Sequence, residues 1–300
     1  MKSNEQIIRS NRRIDGLFMA IGLLVLLVAM LTLISLILDL AIKGMPRIDL
    51  DFLTDFPSRR PSSAGILSAW VGTVLVMIVT AVVAIPLGVA AGVYLEEYAP
   101  KNWMTDLIEI NVTNLAGVPS IIYGLLALGL FVYGLEMGQT IQVAGLVLAL
   151  LILPIIIVST REGIRSLPRA MREGAYALGA DQWQTVSGYI LPSARPAILT
   201  GAIVGLSRAI GETAPVITIG ALTFIAFLPP PPFQDTLPYI NFDWLESPFS
   251  VLPIQMFNWV SRPQADFHVN AAAAGLVLLV MTLLMNSAAI YIRYRLRKDV

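Results

Sequence analysis

In the run GLSRAIGETAP, Arg208 and Glu212 stand four residues apart and are the only charged residues between Arg195 and Asp235. An arginine fork donates several hydrogen bonds in one plane and suits a carboxylate or a tetrahedral oxyanion. On a helix, a glutamate at this spacing shares the arginine's face. It can hold the fork when no anion is present, or accept from a protonated oxyanion. Two chemistries therefore fit: an oxyanion contact in apolar surroundings, or an ion pair that fixes helix packing. A charge deep in hydrocarbon costs about 2.5–3.5 kcal/mol on insertion scales, so either reading turns the pair toward a bundle interior or a water-filled path. Gly201 and Gly205 precede it on a similar face and allow a neighbouring helix to approach closely. At about 1.5 Å per residue, Arg208 lies about 18 Å along the helix from Pro196, near the middle of a bilayer.

The elements that must position this pair follow from composition. The chain has 300 residues, 56% of them hydrophobic and 13% charged, with mean hydropathy +0.75. Soluble domains carry about 25% charged residues, so this chain is built for lipid. Six stretches are long and apolar enough to span: Leu17–Ile42, Gly65–Leu95, Ile110–Gly134, Ile141–Ser159, Ala197–Leu228 and Val269–Ile292. The expected fold is an all-α integral membrane protein with six transmembrane helices. The third stretch carries Gly117, Pro119 and Gly124 and is expected to kink or break there. Ser120 and Tyr123 beside that break could line a polar path, or serve as packing hydroxyls.

With the N-terminus inside, the internal segments carry fourteen Lys and Arg residues and the external ones five. That bias places both termini in the cytoplasm. Residues 1–64 then hold a tail, an anchor helix and an external segment, 65–292 form the transmembrane domain, and 293–300 are a cytoplasmic tail. Within the domain, 160–196 is a cytoplasmic loop and 229–268 an external one. The latter opens on the proline- and aromatic-rich FLPPPPFQDTLPYINFDW, a stretch suited to an interfacial partner surface.

Other chemistry is poorly provided for. No cysteine and a single histidine, His268, leave no ordinary zinc or iron–sulfur donor set, so no metal or cofactor is expected. None of the four lysines follows a glycine, so the phosphate-cradling GK[ST] loop is missing and ATP would have to be handled by another chain. The spans contain no Ser–His or paired-Asp constellation, which argues against an intramembrane enzyme. Nothing points to nucleic acid.

The internal loop is patterned. In SLPRAMREGAYALGADQWQTVSGYILPSARP, Leu167, Met171, Ala175 and Leu178 recur at helical spacing. Pro168 suits a helix start, Gly179 a left-handed stop, and Asp181 the cap of a second helix holding Trp183, Val186 and Ile190. A helix resting on lipid headgroups explains the stripe alone. The spacing of Glu173, Ala175, Gly179, Leu191 and Pro192 also resembles the "EAA…G…I.LP" pattern of ABC importer permeases, with Gly174 replacing an alanine and Tyr189 an isoleucine. In that family the helix–corner–helix docks on a cytoplasmic ATPase.

Two membrane runs, GLSRAIGETAP and AGVPSIIYGLLALGLF, and the external FSVLPIQMFNWVSRPQADF are similar to phosphate-specific ABC importers, of PstA type rather than PstC type. The resemblance implies the type I importer fold and a subunit of a prokaryotic inner membrane that helps form an ATP-driven phosphate channel. It also implies a homologous permease as partner, two ATPase subunits, an external phosphate-binding protein, and alternating access powered by the partners. On this resemblance Glu173, Gly174, Ala175, Gly179, Leu191 and Pro192 contact the ATPase, while Arg208, Glu212, Ser120 and Tyr123 line the path. Alternatives are a permease for sulfate, molybdate or tungstate, and a regulatory membrane protein that moves no solute.

Overall fold

The computed structural model describes residues 4–234 and 239–297, with side chains described from residue 15 to 295 within those segments. Among the described residues the chain is helical, and β structure is limited to one isolated bridge between Phe233 and Ile240. The helices in chain order are α1 (Asn4–Gly44), α2 (Leu50–Thr54), α3 (Leu67–Val93), α4 (Trp103–Leu115), α5 (Ser120–Ala127) and α6 (Ile141–Arg165). They continue with α7 (Arg169–Ala177), α8 (Gln182–Thr185), α9 (Leu191–Ala209), α10 (Ala214–Thr218), α11 (Leu252–Val260) and α12 (Ala265–Arg297).

Five helical runs are long and apolar enough to cross a membrane, and a sixth crossing is made if α4 and α5, bent by 107°, are taken as one. The bend falls between Leu115 and Ser120, where Gly117 and Pro119 stand. Gly124, grouped with them in the sequence, lies inside α5.

The fifth span differs from expectation. It runs from Gln182 through a wide turn at Val186–Ile190 to Ala209, rather than over Ala197–Leu228. Hydropathy alone favours the later window, but Pro215 has no N–H to give the carbonyl four residues back, and its ring crowds that carbonyl. Gly211 weakens the same turn, and the helix stops before both.

The core is built on α3 against α6, with α9 on the far side of α6. Close approach sets this contact. A Cβ added at Gly88 or Gly92 would come within 2.7 Å of Ile156 or Thr160 side-chain atoms, and one at Gly145 would overlap Val79. Gly201 brings α9 equally close to Ser159. At the proline-rich end α11 closes the bundle: Trp259, wholly buried, packs on Phe52 and Phe267, while the Thr73 hydroxyl accepts from the Leu252 amide at 2.9 Å. The first span lies at the edge of the bundle, along α12. Its apolar window has none of its residues buried, and Gly44 at its end is seated against the Ala272–Ala273 backbone of α12.

Candidate functional site

Two breaks in the helices come together where α5 packs on α10. The α4–α5 break and the break after α9 are held together by α5 packing on α10, where a Cβ at Gly124 would overlap Thr218 and the Pro215 backbone. Tyr123, 9% exposed, donates its hydroxyl to the Leu115 carbonyl at 2.8 Å. The same carbonyl also accepts from the Val118 amide at 3.1 Å, so the hydroxyl is a second donor that fastens the two halves of the bend. Ser120 opens α5, half-buried.

Arg208 lies in the last turn of α9, and its Nε donates to Glu212 Oε1 at 3.1 Å. The pair forms as the spacing predicts, although not on one helix face. Glu212 lies beyond the helix, between Ala209 and the start of α10. Its side chain is 18% exposed and that of Arg208 39%, so part of the guanidinium is left open. Tyr123 is within electrostatic range of Arg208. Among the described residues Ser120 shares no hydrogen bond or ion pair with the other three. The structure thus joins Arg208 to Glu212, keeps Tyr123 within electrostatic range but with its hydroxyl engaged by Leu115, and does not bond Ser120 to any of them.

The second candidate region lies at the arginine-rich end. Here α7 is followed, two residues past its end, by Gly179, whose φ of +88° is the left-handed conformation that a Cβ disfavours. The Ala180 amide bonds the Ala175 carbonyl at 3.1 Å and the Gly179 amide bonds Tyr176 at 2.9 Å, the paired closure of a Schellman stop. Asp181 then caps α8 in a reciprocal box with Gln184. Helix, glycine corner and helix are all present.

One member of the apolar stripe departs from expectation. Ala175 is buried and Leu167 and Met171 pack inward, but Leu178 is 84% exposed. The helix ends one residue earlier, at Ala177, so Leu178 projects from the corner. Tyr176 and Trp183 are also exposed, giving the corner an apolar tip, with Glu173 and Gly174 open beside it. Leu191 and Pro192 begin α9, half-buried.

Sequence reasoning missed a charged network beneath this corner. Arg161, its side chain 8% exposed, lies 2.5 Å from the Glu109 carboxylate and 3.5 Å from Glu96. The angles fall outside hydrogen-bond geometry, so these are Coulombic contacts. Arg165 also meets Glu96, at 3.0 Å, and Arg172 on α7 meets Glu97 at 2.6 Å while donating to the Ile164 carbonyl. Gln182 donates to the Glu97 backbone at 2.7 Å. The end of α3 therefore grips both α6 and the corner. The partners lie 52 to 85 residues apart, and the available hint was the adjacent pair Glu96–Glu97 closing an apolar run.

Residues 84–298 match the family described as binding-protein-dependent transport system inner membrane component. The chain is 33% identical over 262 residues to a probable ABC transporter permease protein, YqgI, of Bacillus subtilis, covering 86% of this chain and 87% of that one. It is 31% identical over 232 residues to the phosphate transport system permease protein PstA 1 of Mycobacterium tuberculosis, covering 77% and 71%. Among solved structures, the fold resembles a chain of the MetNI methionine ABC transporter in inward-facing conformations, with TM-score 0.57 and 18% identity over 75% of this chain and 93% of that one. That likeness supports the type I importer fold drawn above. The chain belongs to the binding-protein-dependent transport system inner membrane component family and is an ABC importer permease of PstA type.

Proposed function

We propose that this permease forms half of the path by which an ATP-driven importer moves inorganic phosphate. The observation that carries the proposal is Arg208, its fork half-open at the junction of two broken helices and steadied by Glu212 on one side. Broken helices let backbone groups and a charged side chain face a cavity at membrane depth, where an intact helix would offer only apolar side chains. Kinship to a phosphate permease supports phosphate over other oxyanions.

In this reading the homologous permease completes the path, and an external phosphate-binding protein delivers the solute. Two ATPase subunits seat the Gly179 corner, with Glu173, Gly174, Ala175, Leu191 and Pro192 forming or backing the contact. Both termini are cytoplasmic. Closure of the ATPase dimer draws the corners together and turns the path outward. Hydrolysis returns it, and phosphate leaves inward. Ser120 and Tyr123 shape the wall beside Arg208.

The test is uptake of labelled phosphate by the assembled complex in sealed vesicles, with unlabelled sulfate and arsenate as competitors. Phosphate uptake that arsenate reduces and sulfate does not supports the proposal. Uptake of sulfate in its place assigns the chain to another oxyanion, and ATP hydrolysis with no flux of either makes it a regulatory partner.

A further inference from the structure

A pocket of about 600 Å³ opens at the arginine-rich end, between the α3–α4 link, the end of α6 and the start of α7. Its charged lining is Glu96, Lys101, Arg165, Arg169, Arg172 and Glu173, four cations against two carboxylates. Arg165 and Arg172 are engaged by Glu96 and Glu97. Lys101 and Arg169 have no hydrogen-bond or ion-pair partner among the described residues, although both border the same cavity. The start of α7 adds to the field. No side chain caps it, no acid stands in its first turn, and the Arg169 and Ala170 amides have no backbone partner, while the Met171 amide bonds the Pro168 carbonyl.

We propose that this pocket is a second oxyanion site, distinct from Arg208, which takes a phosphate group between Lys101 and Arg169. Two cations from separate elements and an uncapped helix start converge on a polar cavity, and a tetrahedral anion can accept from all three. Glu173 is the opposing charge and restrains affinity. The group can belong to free phosphate or to an inner-leaflet lipid headgroup, since both present the same oxygens. Bound there, it ties the α3–α4 link to the start of α7.

The test uses the full chain in dodecyl maltoside, which carries no phosphate. Amide hydrogen exchange is followed at residues 99–103 and 167–173 at constant ionic strength. One arm titrates inorganic phosphate and the other short-chain phosphatidylglycerol. Saturable slowing in either arm, absent in K101Q/R169Q and kept in K101R/R169K, establishes the site and names the source. K101Q or R169Q alone should weaken the response roughly tenfold, the worth of one charge-assisted hydrogen bond. E173Q should strengthen it. Slowing in neither arm, or slowing that K101Q/R169Q leaves intact, overturns the proposal. Because the assay involves no transport, its failure leaves the phosphate-import reading standing, and failure of uptake leaves this site standing.

Discussion

Arg161 and Arg208 are both arginines set near the ends of apolar helices, and both meet carboxylates, but their surroundings separate them. Arg161 is 8% exposed and touches Glu96 and Glu109 from two other elements, while Arg208 is 39% exposed and touches Glu212 four residues on. The first arrangement consumes the charge: a buried cation between two acids has little left to offer a passing anion. The second keeps part of its fork free. The fully engaged arginine draws its carboxylates from distant chain segments, and the half-open one has a local partner and an exposed side.

Substitutions should widen or collapse that contrast. The largest effect is expected at Arg161. Arg161→Met strands Glu109 while Glu96 keeps Arg165, and breaking a buried pair from one side costs about 3–5 kcal/mol, less here because Glu109 is 31% exposed. The yield of monodisperse protein should fall steeply, and R161M/E109M should recover part of it. If R161M purifies at the normal level and melting temperature, the network does not hold the fold and the contrast fails.

Next comes Gly179→Val, which forces a β-branched residue to φ +88° at about 1–2 kcal/mol or more. A Cβ added at Gly179 would meet no neighbouring atom within 4 Å, so the damage should stay local. Membrane insertion should persist while ATPase pull-down and phosphate uptake both drop. Normal pull-down would remove the corner from the docking surface.

A smaller change is expected from Tyr123→Phe, which deletes the bond to Leu115 and should lower stability by about 1 kcal/mol in a denaturant melt. Uptake should fall less than in the Arg208 variants, because the hydroxyl serves the bend. A loss of uptake as deep as theirs, with stability unchanged, would return Tyr123 to the path.

The smallest effect on stability belongs to R208M/E212M. A half-exposed pair four residues apart contributes about 0.5 kcal/mol or less, so complex yield should be nearly unchanged while flux is lost. Normal flux at normal yield would make this pair packing too, and the contrast with Arg161 would vanish.

The sequence made the corner readable because every signal there is local. Gly179, Asp181 and Gln184 act within a few residues of themselves, and the Schellman stop and capping box follow from their types. Four of the six spans were legible as apolar runs, and Gly117 and Pro119 marked the break in a fifth. The end of α9 was missed because hydropathy continues past it, and the backbone preferences of Gly211 and Pro215 outweighed that continuity. Glu96, Glu109 and Arg161 were invisible as a site, since their meeting depends on how closely Gly88 and Gly92 let α3 approach α6. Local chemistry can be read one residue at a time, whereas a network between helices needs their packing first.

The run from Gln182 to Ala209 is unbroken helix over 28 residues, with the Gly179 corner just before its near end and Arg208 in its last turn. At about 1.5 Å per residue it measures about 40 Å. As a lever pivoting where Gly201 bears on α6, it has arms of unequal length, the longer toward the corner. A tilt of about 5° then displaces the corner by about 2.5 Å and the guanidinium by about 1 Å in the opposite sense. This gearing trades travel at one end for fine adjustment at the other, and Glu212, whose amide bonds the Ala209 carbonyl at 3.2 Å, is carried along with the guanidinium.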